Sequence, residues 1–314
     1  MAGLLSVVVP CLNEECALPD FIDELLSVTS RMRGLVFEFI FVDDGSTDGS
    51  LDVVKSFRER DKRVRYISFS RNFGKESAIL AGLCASRGLY VALMDADLQD
   101  PPAMLADMYD SLISEGYDCV AARRVSRAGE PRIRSFFARR FYRLMSKLSK
   151  VDLVDGARDY RLMTRRVVDA LLSMPETGRF SKGLFGWVGF RTKWLPYENV
   201  PRAGGKTKWS FRQLLAYSLS GIFAFSQVPL AIASVLGVLL FIVSLIMLIV
   251  IIVRRLAFGD PVSGWASTVC IIIFIGSIQF LCIGIIGSYL SRVFLEVKKR
   301  PAYFVRETEE DEAG

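Results

Sequence analysis

The stretch Leu89-Tyr90-Val91-Ala92-Leu93-Met94-Asp95-Ala96-Asp97-Leu98-Gln99-Asp100-Pro101-Pro102 decides the reading of this chain. Leu89–Met94 is an apolar run with the length of a buried strand. It stops abruptly in three carboxylates and a carboxamide. Asp95 and Asp97 stand at i and i+2, where two carboxylates repel each other unless a cation offsets them. Mg²⁺ and Mn²⁺ choose such oxygen ligands and share them with phosphate oxygens. A plain strand end, with Asp100 as N-cap before Pro101, explains Asp100. It gives no reason for Asp95 and Asp97, so a site for a divalent cation and a diphosphate is the preferred expectation.

Upstream and downstream, short β-rich runs alternate with helical patterns. Leu4–Val9, Phe37–Val42, Val64–Ser70, Leu89–Met94 and Asp118–Ala122 read as strands. Leu18–Met32, Gly49–Glu59, Lys75–Ser86 and Ala103–Ser114 read as helices. This order predicts an α/β domain with a mostly parallel sheet covered on both faces. Ligands of such sheets gather beyond the carboxyl ends of the strands. Pro10–Glu15, Asp43–Ser46 and Asp95–Gln99 all fall at those ends, and three polar clusters on one rim argue for a site more strongly than any one alone.

Composition divides the chain. Of its 314 residues, 51% are hydrophobic and 24% charged, too apolar for an ordinary soluble protein and too charged for a wholly embedded one. The excess is concentrated: Gln213–Val253 and Val262–Ser291 contain no charged residue. Each holds a span of about 20–25 residues, enough to cross a bilayer as a helix. Arg202, Lys206, Lys208 and Arg212 precede the first tract, and Arg292, Lys298, Lys299 and Arg300 follow the second. Between them lie only Arg254 and Arg255, so positive-inside counting places the N-terminal domain and the tail in the cytoplasm. The expected organisation is a cytoplasmic domain over 1–209, a juxtamembrane interfacial helix over 210–227, a two-helix membrane hairpin over 228–291 and a tail over 292–314. The acidic run Glu307–Glu312 is expected to be disordered. Net charge is +6, and a basic domain joined to membrane helices points to anionic lipid or phosphorylated substrates, with no nucleic-acid motif. The chain lacks histidine, which excludes a His-based triad. Its six cysteines form no CxxC pair and read as reduced thiols. No signal peptide is evident at the N-terminus.

The remaining motifs each carry two readings. Pro10-Cys11-Leu12-Asn13-Glu14-Glu15 is either a plain turn into a helix or a wall for a nucleobase or ribose. Asp43-Asp44-Gly45-Ser46-Thr47-Asp48-Gly49 suits a turn with Asp48 as a cap. A carboxylate there would also accept from the N3–H of uracil or an amino group of guanine. Lys75 is a solvated helix-start lysine or a diphosphate contact. Arg123 ends a strand at the same rim and reads as a phosphate ligand. In Pro131–Lys150, the apolar stripe Ile133, Phe137, Phe141, Leu144 and Leu148 is interleaved with Arg134, Arg139, Arg140 and Arg143. That pattern fits an interfacial helix steering a lipid phosphate, with Arg134, Arg139 and Arg140 as its contacts. Asp159 lies between Arg158 and Arg161, as a structural ion pair or a carboxylate near the acceptor. Arg202–Trp209 is a basic membrane anchor or a mobile loop that clamps a diphosphate through Arg202 and Lys208.

Taken together, Val8–Glu15, Val42–Ser50, Asn72–Ile79, Met94–Pro102, Gly156–Met163 and Arg202–Ser210 resemble the polyprenyl-phosphate glycosyltransferases. These are GT-A enzymes of glycosyltransferase family 2, related to dolichyl-phosphate mannose synthase. The two C-terminal apolar tracts are similar to its bacterial bactoprenol glucosyltransferase branch, and the resemblance spans about Leu4 to Arg300. It implies that Asp97 and Gln99 hold the metal and that Asp95 contacts the nucleotide. Pro10, Leu12, Glu14 and Asp43 match base and ribose contacts. Arg123 matches an arginine near the donor and acceptor phosphates. Arg202 and Lys208 match cations that cover the diphosphate, and Asp159 matches a carboxylate proposed as catalytic. Thr207-Lys208-Trp209 departs mildly from the Ser-Lys-Tyr or Ser-Lys-Phe of relatives.

The implied activity is inverting transfer of a hexosyl group, best glucose from UDP-glucose, to undecaprenyl phosphate at the cytoplasmic face of a bacterial inner membrane. GDP-mannose, UDP-N-acetylhexosamine or a modified arabinose are alternative donors, and a small membrane anchor is compatible with a homo-oligomer. A processive polysaccharide synthase would need a channel and commonly a Gln-x-x-Arg-Trp motif, neither of which is present. A non-catalytic nucleotide-sugar-binding subunit would not need Asp95, Asp97, Gln99 and Asp159 intact.

Overall fold

The computed structural model describes residues 3–125, 154, 156–174, 176, 178–198, 264–311 and scattered positions between 230 and 257. The chain divides into two compact units, Met1–Ser218 with Arg300–Gly314, and Leu219–Lys299.

The first unit is built on one sheet. Strands β1 (Gly3–Cys11), β2 (Leu35–Asp43), β3 (Val64–Phe69), β4 (Tyr90–Leu93) and β5 (Cys119–Arg124) follow the expected alternation. Helices α1 (Leu18–Arg31), α2 (Ser50–Arg60), α3 (Lys75–Ala85) and α4 (Met104–Glu115) connect them. Then come β6 (Ala157–Thr164), α5 (Arg165–Leu172), α6 (Ser181–Trp187), β7 (Thr192–Tyr197), the long helix α7 (Trp265–Val297) and β8 (Val305–Thr308). The sheet order is β7-β5-β6-β4-β1-β2-β3-β8. Strands β4, β1, β2 and β3 are mutually parallel, and β5 and β7 are parallel. Strand β6 enters antiparallel between β4 and β5. Strand order reverses about β1, whose carboxyl end is the usual ligand crevice of open α/β sheets.

Burial follows from this layering. Leu5 through Cys11 of β1 are all buried because helices cover both faces of the sheet. Helix α1 buries Leu18, Phe21, Ile22 and Leu25, an i, i+3, i+4, i+7 stripe, after a proline in its first turn. Helix α3 packs so closely on β1 that a Cβ on Gly82 would fall 2.2 Å from Val8 Cγ1. A glycine there lets α3 present its amino end to the rim.

Strand β6 was hidden in the sequence by charge. Arg158 and Tyr160 project to one face and Asp159 and Arg161 to the other, so the hydrophobic alternation that marks a half-buried strand is missing. The structure also corrects two expectations. Asp100 is not a helix cap: α4 starts at Met104 with Ala103 at the cap position and no side-chain cap bond. Asp100 is instead buried against Arg158 Nε at 3.0 Å and the Tyr197 hydroxyl. The acidic tail is not disordered over its whole length: β8 pairs antiparallel with β3, matching Ile67 with Thr308 and Ser68 with Glu307.

In the second unit, α7 contains the window Phe274–Val297, long and apolar enough to cross a membrane and not buried within the protein. It is the only such helix among the described residues. The first apolar tract of the expected hairpin lies mostly outside them.

Candidate active site

The first two motifs are stitched into one wall. Asn13 takes a left-handed backbone, φ 53°, that turns its side chain toward the β2 loop. Its amide oxygen accepts from Thr47 N at 2.8 Å, and its own N–H donates to Ser46 Oγ at 2.9 Å. Glu14 N–H donates to Ser50 Oγ at 2.8 Å, and Glu15 Oε2 accepts from Gly49 N at 3.0 Å. Gly45 makes the turn possible: its φ is +71°, and a Cβ would lie 2.5 Å from the Arg71 carbonyl carbon. Pro10 sits opposite Val42 in the β1·β2 register. Leu12 is half-buried beside it.

Two buried carboxylates hold the second shelf. Asp43 accepts from Ser46 N at 3.0 Å and from the Ser68 hydroxyl at 2.8 Å. Asp44 accepts from Phe73 N at 2.7 Å and from Gly74 N. Burial pushes the Asp44 carboxyl up, against those two N–H bonds and with the Asp43 charge. Asp44 thus ties the β2 loop to the loop before α3, a role the sequence reading left unassigned. Its only signal was the second carboxylate of the Asp43-Asp44 pair.

Lys75, first residue of α3, reaches across the rim. Its ammonium lies 2.7 Å from Asp95 and 2.6 Å from Asp159 Oδ2, with its side chain 43% exposed. Burial would lower the lysine's pKa, but Asp159 and Asp95 outweigh it and hold the ammonium above its ordinary value. Burial would likewise raise Asp159, but Lys75 and Lys182 hold it below the usual carboxylate range. Lys182, in α6, is a further cation that no sequence motif marked.

Beneath this pair, Arg158 Nη2 donates to Gln99 Oε1 at 3.2 Å while its Nε pairs with Asp100. Asp97 Oδ1 accepts from Gln99 N at 3.1 Å, in a turn where Leu98 takes φ 55°. Asp95, Asp97 and Gln99 are therefore hard oxygen donors on one short turn beyond β4. Among the described residues no three Asp, Glu, Cys or His side chains converge as a closed metal site. A cation here would complete its shell with diphosphate and water, as Mg²⁺ usually does. The residues fit the expected ion on that basis.

Arg123 stands near the end of β5, opposite Ala157 where the β5·β6 register shifts. A cleft of about 430 Å³ opens beside β6, lined by Ala157, Arg161, Lys182, Phe185 and Trp194. Ala157, Asp159 and Arg161 share one face of β6 by strand alternation, so the cleft continues the sheet face that carries Asp159. Arg161 is buried, donates to the Asp159 and Arg158 carbonyls, and lies 3.4 Å from the centre of the Phe185 ring. Arg134, Arg139, Arg140, Arg202 and Lys208 lie outside the described residues.

This rim can be set beside known proteins. Residues 6–172, more than half of the chain, match the family described as Glycosyl transferase family 2. The chain belongs to glycosyl transferase family 2. As a family 2 member it is a glycosyltransferase, with a GT-A-like α/β sheet. It is 41% identical over 305 residues to the putative glycosyltransferase CsbB of Bacillus subtilis, covering 97% of this chain and 92% of that one. It is 34% identical over 304 residues to the SfII prophage-derived bactoprenol glucosyl transferase of Shigella flexneri, covering 97% and 98%. Among solved structures, the family 2 chain resembles mannosyl-3-phosphoglycerate synthase from Rubrobacter xylanophilus. The TM-score is 0.50 at 21% identity, over 70% of this chain and 72% of that one, a likeness of fold.

Proposed function

We propose that this glycosyltransferase moves a hexosyl group, glucose from UDP-glucose, to a polyprenyl phosphate with inversion at the cytoplasmic membrane face. The observation that carries this reading is the full-length likeness to a bactoprenol glucosyl transferase. That likeness extends through the apolar tracts as well as the sheet domain, so the part suited to a lipid acceptor is shared along with the rim.

The chain's own residues divide the work. Asp43 and the Pro10–Glu14 wall receive the base and ribose. Asp95 faces the nucleotide, and Lys75 beside it offsets charge on the departing diphosphate. Asp97 and Gln99 would hold a divalent cation, Mg²⁺ or Mn²⁺, which when bound would supply Lewis-acid neutralisation of charge on the same leaving group. Arg123 and the basic segment with Arg134, Arg139 and Arg140 let the anionic acceptor approach a second anion. Arg202 and Lys208 cover the diphosphate. Asp159 is firmly ionised and paired with Lys75, which makes it a poor proton acceptor and a good anchor. No base is required, because a phosphate monoester with second pKa ~6 is already largely dianionic near pH 7.

Membrane placement follows the same logic. Strand β8 joins the sheet that holds β1, so both ends of Leu219–Lys299 lead back to one unit. If α7 crosses a bilayer, the chain crosses an even number of times, and the apolar tract 213–253 supplies the return. This supports a hairpin with both termini on one side of the membrane, and the basic flanks favour the cytoplasmic side.

The deciding experiment is a panel of labelled nucleotide sugars with undecaprenyl phosphate and full-length protein in membranes. A labelled glycolipid, formed from UDP-glucose ahead of GDP-mannose and UDP-N-acetylglucosamine and lost in Asp97→Ala, is expected. A labelled polymer, or no product, would overturn the reading. Turnover retained in Asp97→Ala would remove the site assignment.

A further inference from the structure

We propose that the C-terminal segment 302–309 supports the nucleotide site directly, with Arg306 and Phe304 as positioning residues for Asp43 and for the loop before Lys75. The inference rests on the reading of Asp43 and Lys75 as donor-site residues.

Two independent paths run from this segment to the rim. In the first, Arg306 Nη2 donates to Ser68 Oγ at 3.1 Å, and Ser68 Oγ donates to Asp43 Oδ2 at 2.8 Å. A hydroxyl has one proton. With Arg306 filling a lone pair, the Ser68 proton is directed at Asp43, which is 1% exposed. That fixes one Asp43 oxygen from the side of the tail, while Ser46 N–H holds the other.

In the second path the tail grips the loop 70–77 from outside. Phe304 O accepts from Ser70 N at 3.0 Å, and Ala302 O accepts from Ser77 Oγ at 3.0 Å. The Phe304 ring lies 6.1 Å from Phe73, and Tyr303 stacks on Phe69 at 4.8 Å. The same loop donates Phe73 and Gly74 N–H groups to Asp44, and the next residue is Lys75. The aromatic contacts and the Asp44 bonds therefore clamp this short loop from opposite sides.

Ion pairs hold the segment down. Glu307 meets Lys55 at 2.8 Å, and Glu309 meets Arg65 at 2.6 Å. A strand that only covered the edge of β3 would need these pairs and the ladder. It would not need Arg306 turned onto Ser68, nor aromatic contacts with the nucleotide loop.

The test uses full-length protein in lipid nanodiscs, with UDP and GDP binding, donor KM, kcat and Tm measured for five variants. Asp43→Asn calibrates the site and weakens binding of the preferred nucleotide. Arg306→Gln weakens nucleotide affinity and raises donor KM by about 3- to 10-fold, the range of one lost hydrogen bond, and Phe304→Ala, which keeps the carbonyl bond to Ser70 and loses the ring contact with Phe73, does so by about 2- to 5-fold, with kcat within about twofold for both. Arg306→Lys restores most of the affinity. Glu309→Gln weakens the ion pair with Arg65, away from Arg306 and the Ser68 hydroxyl, and lowers Tm with nucleotide affinity kept. If Asp43→Asn weakens binding and the Arg306 and Phe304 variants do not, the inference fails while the donor-site reading stands. If affinity merely tracks Tm across Glu309→Gln and Arg306→Gln, the role is structural and the inference fails. If Asp43→Asn leaves binding unchanged, both fall.

Discussion

Lys75 shows how one side chain organises the rim. It is held by two carboxylates, Asp95 from the turn beyond β4 and Asp159 from β6. Removing the cation in Lys75→Met leaves the two anions facing each other. A fully buried broken pair costs about 3–5 kcal/mol, but Lys75 is partly exposed, so about 1–2 kcal/mol is expected in urea unfolding. Adding Asp159→Asn should recover part of that loss, and strict additivity would show that the pair is not coupled. The pH dependence follows from the lowered Asp159 pKa. Its stabilisation is fully present above the unfolded carboxylate value of about 3.9 and is lost only as pH falls through the lower folded value. Across pH 5–9, stability and kcat should therefore show no limb from Asp159. An acid limb of kcat near neutrality that disappears in Asp159→Asn would assign it as a base after all. At this scale the sequence marked Asp95, Asp97, Gln99 and Asp159 by their residue types. It also favoured Asp100 as a cap, because Asp before Pro is a common local signal, while its real partner Arg158 is 58 positions away.

At the scale of elements, two glycines carry the geometry. Gly45→Ala meets both a left-handed backbone and the Arg71 main chain. A cost of about 1–3 kcal/mol, with weakened nucleotide binding, is expected by thermal unfolding and titration with UDP. Gly82→Ala drives a methyl into Val8 and should cost about 1–3 kcal/mol by overpacking. Val8→Ala in the same chain makes room and should return part of it. Equal Tm values for the single and double variants would contradict the close α3·β1 approach. The first nine elements, β1 to β5 and α1 to α4, were legible because apolar periodicity was clean and turns carried Gly, Asp and Pro. The later strands were not. Strand β6 carries charges on both faces, and β8 is a charged run whose stability comes from Lys55, Arg65 and a β3 ladder, none of them local.

For the whole molecule, the tail is the decisive connection. Because β8 belongs to the sheet, reporters fused to the N-terminus and after Gly314 should have the same accessibility, and the basic flanks predict exposure in inside-out vesicles and protection in intact cells. Opposite accessibility would refute the even number of crossings. The chain's own chemistry determined an α/β domain with polar clusters at its strand ends, tracts able to span a bilayer, and basic flanks, since each depends on neighbours within a few residues. The tertiary structure alone decided that Lys75 bridges Asp95 and Asp159, 20 and 84 positions on, and that Arg158 locks Asp100. It also decided that Val305–Thr308, where the acidic run begins, is a strand of the sheet. Those pairings depend on sheet order, on which strand lies beside which, and local periodicity carries no record of it.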